Sequence, residues 1–152
     1  MVLTYSCTTA VNSSMKTFTE NSNGWRPADF KAGNGVLLIQ RVARPKGQQR
    51  KIEDFMAKNY LFKYEFVDSR DLEANSDKYA DKNIYRFVLV NSMDQWTINR
   101  ISGQGTSSSN TVVFDFNFID RLNNKTYPKS GIASNWASIT YKKIIQTCLE
   151  NN

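Results

Sequence analysis

The chain has 152 residues, 40% of them hydrophobic, with nine Phe, seven Tyr and three Trp: enough to bury one ordinary core, too little for two. No window approaches the roughly 18 apolar residues a membrane-crossing helix needs, and the aromatic content excludes a disordered chain. The formal charge of +6 suits an acidic partner but is equally ordinary for a solvated surface, and the absence of histidine removes the commonest general base and metal ligand together.

Residues 8–24 are almost wholly Ser, Thr, Asn and single charges, with Met15 and Phe18 the only bulky apolar side chains. Such a stretch buries too little surface to offset the entropy of ordering it and reads as a tether. At Trp25 the composition changes: WRPADF sets two aromatics around a proline, as expected where a chain enters a folded domain. The division expected is 1–24 as leader remnant and tether, and 25–152 as one compact domain.

GVLLIQRV (35–42) is apolar, rich in β-branched residues and preceded by Gly33 and Gly35, so it predicts a buried strand. ARPKGQQ (43–49) breaks regular structure with Pro45 and Gly47. Ile52, Phe55, Met56 and Tyr60 then recur at spacings of three and four, one stripe of a helix of about twelve residues with Lys51 and Lys58 outside it. KYEFVD (63–68) returns to alternation, and strand, helix and strand in this order predict a right-handed βαβ unit. Asp71 to Asn83 is charged and reads as a surface helix or loop.

Three further strands are expected at IYRFVLVN (84–91), QWTINRIS (95–102) and TVVFDFNFIDRL (111–122), the first two joined by a hairpin at Ser92–Asp94. In the third, Phe114, Phe116 and Phe118 face a core while Asp115, Asn117 and Asp120 mostly face water, a sheet covered on one side. GQGTSSSN (103–110) reads as a flexible hairpin tip, since a strand follows it where a phosphate loop needs a helix. A last helix, capped by Ser134, is expected to bury Trp136, Ile139, Ile144, Ile145, Cys148 and Leu149. The fold class is therefore α+β: a mixed, mostly antiparallel sheet of about five strands with a βαβ start and a C-terminal helix packed on one face.

The segment LTYSC places Cys7 behind a short apolar run and before the polar tether. It resembles the lipobox of small bacterial cell-envelope lipoproteins, with Thr4 where leucine is usual and a bulky Tyr5 as departures. The resemblance implies that Cys7 is the lipid attachment site and that the domain lies in the periplasm or at the outer membrane. Two other readings stay open: a Cys7–Cys148 disulfide, and ordinary thiols in a cytoplasmic protein. Cys148 lies on an apolar stripe, where a buried free thiol is expected.

Arg41, Arg44, Lys46, Arg50 and Lys51 gather within eleven positions on a loop leading into a helix N-terminus, the pattern of an anion- or partner-binding patch. Asp115 and Asp120 fall on one strand and Glu65 and Asp68 on another, so pairs could meet across a sheet, and such a carboxylate pair is the only acid–base device left to an enzyme here. No metal or cofactor is expected, and the N-x-S/T matches at Asn12 and Asn124 are read as chance. The expected function is a non-catalytic envelope domain that binds a protein or a glycan. The alternatives are a basic nucleic-acid-binding domain and a carboxylate-dependent enzyme of the cell wall or its polysaccharides.

Overall fold

The computed structural model describes residues 24–43, 46–73, 77–103, 105–131 and 134–150. The tether and Cys7 lie outside these residues, as does Arg44. The elements in chain order are β1 (Leu37–Gln40), α1 (Gln48–Asn59), β2 (Tyr64–Val67), α2 (Ser69–Glu73), a 3-10 turn (Asp77–Tyr79), β3 (Phe87–Ser102), β4 (Gly105–Asp120), β5 (Lys125–Thr126) and α3 (Ala137–Glu150). They form a single α+β domain around one mixed sheet of order β2-β1-β3-β4-β5. β1 runs parallel to both β2 and β3, while β3–β4 and β4–β5 are antiparallel.

The βαβ start follows from its sequence. Ile52 and Met56 bury the stripe of α1, and Gly47 enters the helix in the left-handed region (φ 88°), which glycine adopts at no steric cost. Gly35 is equally constrained: at φ 89° a Cβ would strike the carbonyl oxygen of Ile84, which accepts from the Val36 N–H at 2.8 Å and seats the start of β1.

α1 and α3 pack against each other on one face of the sheet. Beneath them lies the main core: Leu37, Ile39, Phe87, Leu89, Phe114, Phe116 and Phe118 from the strands, Ile52 and Met56 from α1, and Tyr141, Ile144, Ile145 and Cys148 from α3. Trp25 and Phe30 close it, each with its ring centroid less than 6 Å from that of Phe118 (5.9 and 5.1 Å). Burying each such side chain contributes about 1.5–3 kcal/mol.

Five expectations are corrected. The hairpin does not fall at Ser92–Asp94: β3 runs unbroken through them, and the chain reverses where Ser102 pairs with Gly105. The glycines at 103 and 105 supply the turn chemistry that Ser-Met-Asp lacks. Thr106–Asn110, read as part of a flexible tip, are strand residues, and the fifth strand is the short β5. The face opposite the helices is not simply wet, because Leu38, Val67, Tyr79 and Val88 form a second small core beneath the α2 and 3-10 segment. In α3 the buried stripe includes Ala137, Thr140 and Tyr141 and leaves Trp136 and Ile139 exposed; Ser134 does not cap the helix but accepts from the Trp136 N–H at 3.1 Å, and pairs with Phe114 as an isolated bridge.

Candidate partner-binding groove

Strands β3 and β4 are longer than the helices that cover them. Because side chains alternate along a strand, Met93, Gln95, Val112 and Phe114 lie on the same face. Phe114 is sealed under the helices, but Met93 is 53% exposed and Val112 45%. This emergence of the core face forms the floor of an open groove of about 920 Å³. One wall is the loop after β1, through Ala43 and Lys46; the other is the entry to α3, through Asn135 and Trp136.

Hydrogen bonds fix both walls. The Val42 N–H donates to Gln49 Oε1 (2.8 Å), and Gln49 Nε2 donates in turn to Glu53 Oε1 (2.9 Å), tying the loop to the first turns of α1. Gln48, a buried polar residue, accepts the Ser138 N–H at 3.1 Å. One side chain of α1 thus satisfies a first-turn donor of α3 and clamps the two helix starts together beside the groove. Trp136 is 47% exposed, with the Lys51 ammonium 5.4 Å from its ring centroid. Such a contact contributes about 0.5–1 kcal/mol at a solvated site.

The five basic residues do not act as one patch. Arg41 Nη1 donates to Glu53 Oε1 at 2.7 Å and lies 5.5 Å from the Phe66 ring centroid, so its charge is committed within the fold. Lys46 lines the groove, Lys51 stands over Trp136, and Arg50 is exposed on α1; none of these three forms an ion pair among the described residues.

Three of the four candidate acid–base carboxylates, those of Asp115, Asp120 and Glu65, are used structurally. Asp115 is buried, against the wet position expected of it, and accepts from Ser130 Oγ, the Phe116 N–H (2.6 Å) and the Gly131 N–H (3.2 Å). Asp120 is fully buried and accepts from Arg86 through both oxygens (3.1 and 2.7 Å), from Asn123 Nδ2 (2.8 Å) and from the Leu122 N–H (3.0 Å). The Arg86 guanidinium, which also pairs with Asp29, holds the Asp120 carboxyl at about 2, below its ordinary 3.8. Five positions apart on β4, Asp115 and Asp120 point to opposite faces. Glu65 accepts from Lys78 Nζ (2.6 Å) and Tyr79 Oη (3.3 Å), and the Asp68 carbonyl oxygen accepts the Asp71 N–H (3.0 Å) at the start of α2. Cys148 is a free, fully buried thiol, and burial pushes it up to about 12.

Sequence reasoning missed Met93 and Val112 and assigned Trp136 to the core, where the structure leaves it half-exposed. The signal for Trp136 lay in the helix period: a stripe anchored on Tyr141, Ile144, Ile145 and Cys148 leaves position 136 off the buried face. Fold and groove together define a small α+β domain with an apolar, cation-rimmed groove at the base of a two-stranded ribbon. Comparison with family models, with curated proteins and with solved structures returns no match.

Proposed function

We propose that this chain is a non-catalytic binding domain of the bacterial cell envelope, held at a membrane by a lipid on Cys7, and that the groove beneath Trp136 receives its partner. The observation that carries the groove is a half-exposed tryptophan beside exposed Met93 and Val112, with Lys46 and Lys51 at the rim. Aromatic anchors set among apolar floor residues are where binding energy concentrates. The committed state of Asp115 and Asp120 supports a binding role over a hydrolytic one.

A photo-crosslinking residue at Val112, in the native host, is expected to trap a partner that the same residue at Arg70, outside the groove, does not trap. Trp136→Ala is expected to weaken the Val112 product by about tenfold, the scale of a lost aromatic anchor. Equal trapping from both positions removes the reading. The anchor is tested apart from the groove: the intact mass of the protein from its native host should start at a diacylated Cys7, and an unmodified chain refutes it. A glycan is the second reading, favoured by the exposed ring of Trp136 beside Asn135 and Gln95, a stacking surface flanked by amides.

A further inference from the structure

The groove floor continues into an unpaired strand edge. Along β3, hydrogen-bonding groups alternate between β4 and the opposite side. Asn91 faces outward, since its N–H donates to Gln40 Oε1 at 3.0 Å. Its register neighbours confirm the phase: Met93 lies opposite Phe114, and Phe114 exchanges its own outward bonds with Ser134 (2.7 and 3.2 Å). The outward groups of β3 are therefore those of Asn91, Met93, Gln95, Thr97 and Asn99. β1 ends at Gln40, so beyond Asn91 this edge has no backbone partner among the described residues.

An uncovered edge is a template for another strand, and proteins normally blunt it with lysine, proline or a bulge. Met93, Gln95, Thr97, Asn99 and Ile101 carry none of these, and β3 pairs with β4 without interruption from Phe87 to Ser102. We infer that the partner presents an extended acidic peptide segment, which adds to the sheet as a strand along the outer edge of β3 from Met93 toward Asn99. Main-chain bonds hold it in register, and its alternate side chains fall on the groove face beside Met93. The charge argument selects the occupant: Lys46 in the groove wall and Lys51 over Trp136 form no ion pair among the described residues, while Asp94, which also lines the groove, is held by Lys129; this favours carboxylates and opposes a second copy of a chain that itself carries +6.

The inference rests on the groove being the partner site, and its test separates the two. A displayed library of short random peptides is panned on the full chain, and synthetic copies of the enriched sequences are titrated. Enriched peptides are expected to alternate apolar and acidic residues. Their binding should slow hydrogen exchange at the amides of Met93, Gln95 and Thr97 and leave those of Asn110 and Val112, on the outer edge of β4, unchanged. Gln95→Pro removes an outward N–H without touching the β3–β4 ladder, and should weaken binding about tenfold, the effect of one or two main-chain bonds. Asn110→Pro, its counterpart on β4, should leave binding unchanged, with thermal unfolding confirming that both variants fold.

If Trp136→Ala abolishes capture but Gln95→Pro and the exchange pattern do not respond, the groove stands and the strand pairing falls. The same holds if a chitin hexasaccharide binds in the groove and no peptide is enriched. If Trp136→Ala and Gln95→Pro are both silent, both readings fall. Basic enriched peptides overturn the charge argument, and amides of β3 protected by self-association alone assign the edge to a second copy.

Discussion

The two halves of the β3–β4 hairpin share one uninterrupted backbone ladder yet live in different surroundings. The inner half, Phe87–Val90 opposite Asn117–Asp120, has a core on each face, β1 along one edge and β5 along the other. The outer half, Gln95–Ser102 opposite Gly105–Val112, has cross-strand polar contacts: Thr97 Oγ1 donates to Asn110 Oδ1 (3.0 Å) and Ser108 Oγ to Asn99 Oδ1 (2.8 Å). A two-stranded ribbon is marginal by itself, so the outer half borrows its register from the inner one. Paired backbone defines the shape of the hairpin, while burial decides which part of it stabilises the protein.

Substitutions should break this symmetry sharply. Phe118→Ala, in the inner half, is expected to cost about 3–5 kcal/mol in denaturant unfolding, the range for emptying a sealed aromatic site. A shift below about 1 kcal/mol would mean that the inner core is loosely packed.

Arg86→Met comes next, with an expected loss of about 3 kcal/mol near neutral pH, because it strands the buried Asp120 carboxylate. The sign with pH follows from the depressed carboxyl. Its stabilising contribution is complete above its ordinary value of 3.8 and is lost as pH falls toward about 2. The gap between wild type and Arg86→Met should therefore narrow over that acid range, as read by unfolding at stepped pH, and a gap independent of pH refutes the assignment.

The smallest effect belongs to the outer half. Asn99→Ala should change stability by no more than about 0.5 kcal/mol, as at other exposed sites. A larger loss would show that the ribbon contributes to the fold and is not merely carried by it.

The same division explains what the sequence made legible. Where a side chain is buried on a regular period, its role was readable: Phe114, Phe116 and Phe118 alternate, and Ile52 and Met56 lie one helical turn apart, so the strand, the helix and the α+β class follow from spacing. Asp115 was misread because alternation assigns a face without saying whether another segment covers it; Ser130 and Gly131 arrive from beyond β5 to bond its carboxylate. The long hairpin is not legible because Ser92 and Asp94 look like turn residues, while what keeps them in β3 is their pairing with Asp115 and Val113 across the sheet. The basic cluster was visible as charge, but the commitment of Arg41 to Glu53 and the meeting of Lys51 with Trp136 depend on how α1 and α3 pack, which no local pattern encodes.

The buried thiol of Cys148 bears on time rather than on affinity. Held on the inner face of α3 and pushed up to about 12, it is closed to thiol reagents while the helix is seated. With Cys7 replaced by serine, the pace at which Cys148 is modified becomes the frequency with which the last helix lifts from the sheet. When reclosing outruns the reagent, that pace reports how rarely the helix is open; when the reagent is faster, it reports the opening rate itself. Trp136 leads directly into α3, so the same sulfur atom keeps time for the wall of the groove.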